Sequence, residues 1–215
     1  MPTINYTPID YGAWNFDGQG INILDRLSTI EREIWKKGLP FQDKRNDTGH
    51  AEVATYFALI LTERTGRNRC VTVPAIITHD IGYRVDPEKF REAFISKPDK
   101  EAQLRIRLEH QIRGGILAYN ILRDSGLSSD CIAEILRINL DHDTRFYETT
   151  PDGEIVQDAD VLWRATKPCI DAYLSGKPVE EVRRLSEDNI FPLLNLPLSK
   201  EIARIELENS MRFFK

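Results

Sequence analysis

The sequence predicts an all-α fold of roughly seven or more helices around one core. Three observations lead there. Apolar residues recur every three or four positions in segment after segment, the period of a helix with one buried face. No segment sustains the apolar–polar alternation of a half-buried strand. Helix start and stop residues bracket the periodic segments, among them Asp47, Gly66, Gly126 and Ser128.

Residues 1–20 carry Pro2, Pro8, Gly12, Gly18 and Gly20 without apolar period and read as an irregular arm. Tyr6, Tyr11, Trp14 and Phe16 would pack it on the single domain of residues 21–215. Ile23, Leu27, Ile30 and Ile34 mark the first helix, stopped by Gly38-Leu39-Pro40. The second is predicted over residues 48–64, capped by Asp47 or Thr48, with Val53, Tyr56, Phe57 and Ile60 inside. Residues 72–81 are nearly all apolar, with Pro74 in the first turn, and fit a helix buried on most sides. Residues 82–100 form a polar insertion with one helix over 87–95. Residues 101–122 are strongly helical, with Leu104, Leu108, Ile112, Ile116 and Tyr119 on one side. Ser128 or Ser129 caps the next helix, in which Ile132, Ile135, Leu136 and Asn139 keep the spacing. Pro151-Asp152-Gly153 reads as a turn, and 155–174 as a helix kinked at Pro168. Residues 179–185 and 200–213 complete the bundle.

The 215 residues include 29 Lys and Arg against 34 Asp and Glu, a net charge of −5. That balance disfavours a large nucleic-acid interface or an anionic membrane surface, and leaves room for a local basic pocket around a small phosphate. No window approaches the roughly 18 consecutive apolar residues of a membrane span. The start, Met1-Pro2-Thr3-Ile4-Asn5-Tyr6, lacks a basic end followed by an apolar stretch, so no secretory signal is expected. Cys70, Cys131 and Cys169 are far apart and odd in number. They exclude a disulfide scaffold or zinc ribbon and predict free, mostly buried thiols in a reducing, cytoplasmic setting.

Only four histidines exist, His50, His79, His110 and His142, and each falls on a different predicted helix or helix end. A metal centre inside a helical bundle needs ligands from several helices, because one helix presents only about two side chains to a point. Adjacent residues diverge by about 100° on a helix. His79 and Asp80 can therefore both ligate only at a helix end, which Gly82 provides. An isolated His-Asp pair is weak evidence, and a second one, His142-Asp143, occurs in this chain.

Order and local context together carry more. His50, then His79-Asp80 after the apolar run Val73-Pro74-Ala75-Ile76-Ile77, then Asp160 within Gln157-Asp158-Ala159-Asp160, resembles the HD-domain superfamily of metal-dependent phosphohydrolases. Asp47, three residues before His50, matches the D-x-x-H of the bacterial YedJ/YpgQ-like HD hydrolases. His110 to Gly115 is similar to their H-A-x-x-G-A segment, Ile138 to His142 to their I-x-x-x-H, and Ile155 to Asp160 to their I-V-Q-D-A-D. The resemblance covers residues 45–170 and implies an HD-type helical bundle.

It also implies that His50, His79, Asp80 and Asp160 are metal ligands. Two imidazoles and two carboxylates suit Mn²⁺, Fe²⁺, Co²⁺, Ni²⁺ or Zn²⁺ better than Mg²⁺. Ligand bonds of about 2.0–2.2 Å require the four coordinating atoms to lie within about 5 Å of one another. His110 and His142 stand where two-metal members such as the HD-GYP phosphodiesterases hold a second ion, bridged by the aspartate of His-Asp. Contact with substrate phosphate is the other role open to them. Tyr83 replaces the lysine of the HD-GYP proteins, and no Gly-Tyr-Pro follows His142, which disfavours cyclic-dinucleotide hydrolysis; Tyr83 also replaces the glutamate of the 5′-deoxynucleotidases, so their water activation does not carry over. Arg84, Arg113, Arg145 and Arg164 each follow a motif segment and are candidate phosphate contacts. Trp163 is either a core residue or a platform for a nucleobase, Asp141 and Asp143 are candidate proton donors, and Asp158 is assigned no ligand role.

The activity this implies is hydrolysis of a phosphomonoester or phosphoanhydride, of a nucleotide in the first instance, by a metal-activated water. The same ligand set would serve a di-iron oxygenase of HD type, and a ligand-sensing module with a vestigial site is a third reading. The substrate and the oligomeric state are left open.

Overall fold

A computed structural model of the chain describes residues 5–45, 47–84 and 86–214. Among them are ten α-helices and no strand. In chain order these are α1 (Thr29–Gly38), α2 (His50–Thr65), α3 (Arg69–Thr78), α4 (Pro87–Arg91), α5 (Lys100–Leu122), α6 (Ser129–Asn139), α7 (Pro151–Leu162), α8 (Lys167–Leu174), α9 (Val179–Ile190) and α10 (Pro197–Met211).

At the centre α2, α3 and α7 pack on one another. Val53, Phe57 and Leu61 of α2, Val73 and Ile76 of α3, and Ile155 and Val161 of α7 are buried there. Each such side chain contributes about 1.5–3 kcal/mol by leaving water. α6 lies on α3 and carries α5 on its other side, while α8, α9 and α10 pack together beyond α7. Side-chain caps mark several starts: Ser28 with Glu31 forms a capping box on α1, Asp99 caps α5, and Ser128 caps α6. No helix among the described residues is long and apolar enough to cross a membrane.

Residues 5–20 hold no helix and are clamped to α10 by Glu206. The Ile9 amide and the Tyr6 hydroxyl donate to Glu206 Oε1, and the Tyr11 hydroxyl donates to Oε2 at 2.8 Å.

Six local expectations change. The first helix starts at Thr29 and not at Ile23: Ser28 caps it, Leu27 is extended, and Leu24–Arg26 form a separate 3-10 turn. Pro151-Asp152-Gly153 is the first turn of α7 and not a free turn, because Thr150 accepts from the Gly153 amide and Pro151 needs no amide partner there. The helix expected over 155–174 is two helices, broken where Thr166 turns extended; Pro168 opens α8 instead of kinking a longer helix. Asn68 caps α3 through the Cys70 amide, so that helix starts early and Pro74 sits in its interior. The start of α2 is held by neither Asp47 nor Thr48 but by Asp43, which accepts from the Gly49 and Ala51 amides. Of the three free thiols only Cys169 is buried; Cys70 is exposed.

The largest difference concerns α5. Its predicted apolar stripe faces outward, with Ile112 59% and Ile116 62% exposed. The buried side instead carries His110, Gln111, Gly114, Gly115 and Ala118. Small residues let the backbones approach closely, and that contact wins over the bulkier stripe. A Cβ at Gly82 would lie 1.9 Å from the His110 carbonyl oxygen and 2.4 Å from the Gly114 nitrogen. The segment after α3 is thereby pressed directly against α5.

Candidate metal centre

That close approach assembles the site. His79 is the C-cap of α3, so His79 and Asp80 stand at a helix end and both side chains reach the same point. Across the Gly82 contact lies His110 of α5, and His142 follows the end of α6. His50 is the first residue of α2, entered through Gly49 at φ +88°, a left-handed conformation that glycine adopts without strain. Asp160 comes from the last turns of α7.

Two groups result. Ligand atoms of His50, His79, Asp80 and Asp160 lie within 4.8 Å of one another, as do those of Asp80, His110 and His142. Both groups could hold a metal ion, and Asp80 is common to them. The four histidines are buried, and Asp80 and Asp160 are nearly so.

The second ring nitrogen fixes each imidazole. His79 Nδ1 donates to the Ile76 carbonyl at 2.6 Å, His110 Nδ1 to Ile106 at 3.2 Å, and His142 Nδ1 to Asn139 at 2.9 Å. Each therefore turns Nε2 toward the cluster as its candidate ligand atom. His50 Nδ1 faces Asp47 Oδ2 at 3.1 Å, while Nε2 lies 2.9 Å from Asp160 Oδ1. Asp80 Oδ1 is 3.3 Å from His142 Nε2 and 3.6 Å from His110 Nε2. His79 Nε2 is buried and makes no hydrogen bond. A buried ring nitrogen without a hydrogen bond, 3.3 Å from Asp80 Oδ2 and 3.5 Å from Asp160 Oδ1, costs free energy that a bound cation would recover. The residues present fit a divalent ion.

The cluster balances its own charge: burial would lower the His79 imidazole, but Asp80 and Asp160 raise it well above its ordinary value, so a metal ion would take the place of protons here. Burial alone would raise the carboxyls of Asp80 and Asp160, but Arg45 and His79 beside Asp80, and His50 and His79 beside Asp160, hold both well below the usual range. Burial would lower His50, yet its hydrogen bonds to Asp160 and Asp47 raise it to about 9. Burial lowers His110 to about 4, which leaves it neutral and ready to ligate.

Three neighbours shape the site in ways the sequence did not disclose. Arg45 reaches in from the loop before α2; its Nη2 donates to Asp80 Oδ2 and Asp47 Oδ2 at 2.5 and 2.7 Å. Tyr83 stacks on His110 with ring centroids 3.8 Å apart, donates to Asp143 Oδ2 at 3.1 Å, and carries the Arg45 guanidinium 4.3 Å above its ring. Trp163 is buried and stacks on His50 at 5.4 Å, so its ring orients a candidate ligand and offers no free face to a base. The only sequence signal for Arg45 is a cation two residues before the Asp47 of the motif.

The four arginines singled out by sequence are not gathered at one point. Arg84 is exposed. Arg113 donates to the Gly82 carbonyl, Arg145 to Leu193 and Arg164 to Asn189. Arg145 alone among them is half-buried within electrostatic reach of Asp160 and Asp143. Asp141 accepts from Thr144, Phe146 and Tyr147 and holds that loop. Asp143 faces His110 and His142, whose imidazoles hold its carboxyl low against the effect of burial. Asp158 points away from the cluster and accepts from the Asn195 and Leu196 amides at the start of α10.

Comparison of the chain with protein-family models, with curated proteins and with solved structures gave no match.

Proposed function

We propose that the chain is a metal-dependent phosphohydrolase of the HD type, acting on a small phosphorylated substrate such as a nucleotide. One observation carries this reading: a four-residue and a three-residue ligand group share a single carboxylate, Asp80. His50, His79, Asp80 and Asp160 would hold the first ion, and Asp80, His110 and His142 a second. Bound there, divalent metal supplies Lewis acidity toward a phosphoryl oxygen and lowers the pKa of water. The chain's own residues do the rest. Arg45, bonded to Asp80, and Arg145, within electrostatic reach of Asp160 and Asp143, bring positive charge that suits a phosphate dianion. Asp143, held as a carboxylate, accepts a proton more readily than it gives one, and Tyr83 keeps it oriented. The resemblance in motif order supports the reaction class, and the shared carboxylate supports the metal stoichiometry.

The test is elemental analysis of the purified protein, then a panel of phosphate esters and nucleotides assayed with Mn²⁺, Co²⁺, Ni²⁺, Zn²⁺ and Mg²⁺. Metal-stimulated phosphate release, lost in His79→Ala and Asp160→Asn, is the expected result. Bound iron with oxygen consumption and no phosphate release would overturn it in favour of a di-iron oxygenase.

A further inference from the structure

We propose that the chain forms a two-fold dimer through the outward face of α5, each helix packed antiparallel on its copy about Ile112. The helix is 23 residues long, about 35 Å. Leu104, Leu108, Ile112, Ile116 and Tyr119 form a continuous stripe along it, each at least 36% exposed. They are five of the eleven large apolar side chains exposed among the described residues, gathered on one helix. A continuous stripe of this kind marks an interaction surface.

The charges on the stripe say what covers it. A two-fold axis through Ile112 pairs each residue with the one equally far on its other side. Leu108 then meets Ile116, Arg105 meets the ring of Tyr119, and Glu101 meets Arg123. All three charged side chains are exposed; within one chain Glu101 pairs with Arg105 at 3.3 Å and Arg123 with Asp124 at 3.4 Å, solvent-exposed pairs worth little that can exchange for contacts across the axis. Arg105 over Tyr119 is a cation–π contact, and Glu101 opposite Arg123 is an ion pair that occurs twice per dimer. A parallel arrangement would set Glu101 against Glu101 and Arg105 against Arg105, which like-charge repulsion disfavours. A second copy of this chain, antiparallel, is thus the occupant whose charges match. One helix face is smaller than the roughly 800 Å² per partner of a standard stable interface, so the dimer is a weak one that forms in the micromolar range. The inference stands apart from the metal reading, because His110 lies on the opposite side of the same helix.

Sedimentation velocity across the micromolar range tests it with the full chain. The wild type should shift from monomer to dimer with concentration, and Ile112→Glu should stay monomeric. Ile112 is exposed, so that variant should keep its melting temperature and a folding defect is separable from lost association. Glu101→Arg should weaken the dimer roughly tenfold, through like charges placed twice across the axis. Glu101→Arg with Arg123→Glu should restore it. A wild type that stays monomeric at every concentration, or a dimer that survives Ile112→Glu, overturns the proposal. A double reversal that fails to restore association overturns the antiparallel register.

Discussion

Glu206 and Asp80 are both carboxylates taken out of water, and their surroundings differ in kind. Glu206 is fully buried and closed: neutral donors from Ile9, Tyr6 and Tyr11 use both of its oxygens. With no cation beside it among the described residues, burial pushes its carboxyl above the ordinary range, and the donated hydrogen bonds offset only part of that rise. Asp80 is open: Arg45 uses Oδ2, while Oδ1 faces the Nε2 atoms of His142 and His110 at 3.3 and 3.6 Å. Beside it His79 Nε2 has no hydrogen-bond partner. A saturated polar network holds structure together, here the N-terminal arm on α10. A network of converging imidazole and carboxylate ligand atoms, one of them without a hydrogen bond, is suited to receive a cation.

The comparison breaks first at Glu206. Glu206→Ala leaves two hydroxyls and an amide facing the gap, at a cost of about 3 kcal/mol, or about 6–12 °C in melting temperature for a chain of this size. Glu206→Gln keeps an acceptor and should lose less. Neither should alter the response to metal. A melting curve of Glu206→Ala that overlays the wild type would show that the arm is not clamped there.

The next largest effect belongs to Asp80. Binding of an ion to the folded state adds RT ln(1 + [L]/Kd), about 2.7 kcal/mol at one hundred times Kd. Added Mn²⁺ should raise the melting temperature of the wild type and leave Asp80→Asn nearly unmoved. In chelator the same variant should be less stable than wild type, because Arg45 and His79 lose the carboxylate that compensates them in a dry site. An equal Mn²⁺ shift in both proteins would remove Asp80 from the ligand set.

How much of this was legible in sequence depends on how local each signal is. The helices were, because capping residues and apolar spacing act within a few positions, as at Ser128 and Gly66. The spacing of Leu104, Leu108, Ile112, Ile116 and Tyr119 revealed a helix but not which side of it is buried. That choice was made by Gly114 and Ala118 on one helix and Gly82 beside another, a matching of distant small residues that periodicity does not encode. The candidate ligands were legible through order and motif context; in the structure His79, His110 and His142 turn Nδ1 to a backbone carbonyl, and His50 turns it to the Asp47 carboxylate. Arg45 was not, because a loop side chain's direction depends on the carboxylates the fold brings to it. Pro151-Asp152-Gly153 misled because proline and glycine serve both turns and first helical turns, and only Thr150 decides between them.

The smallest effect sharpens the comparison through pH, measured in chelator so that metal does not compete. The two regions should respond with opposite sign. Burial would raise the Asp47 carboxyl, but the Arg45 charge and the His50 hydrogen bond hold it well below its unfolded value. Its contribution is therefore complete above about pH 4 and is progressively lost as pH falls below that. The deficit of Asp47→Asn relative to wild type should accordingly begin to shrink below about pH 4. The Glu206 carboxyl is raised, so the folded state binds the extra proton. Its contribution is present below about pH 4.3 and is lost as pH rises through the folded value. Glu206→Gln should therefore gain on the wild type as pH rises from about 4 toward 7. Neither slope can exceed about 1.4 kcal/mol per pH unit for a single group. Chemical denaturation of the three proteins at a series of pH values gives both slopes. If Glu206→Gln and Asp47→Asn changed with pH in the same direction, the two carboxylates would share one kind of environment, and the distinction between a closed clamp and an open metal site would fail.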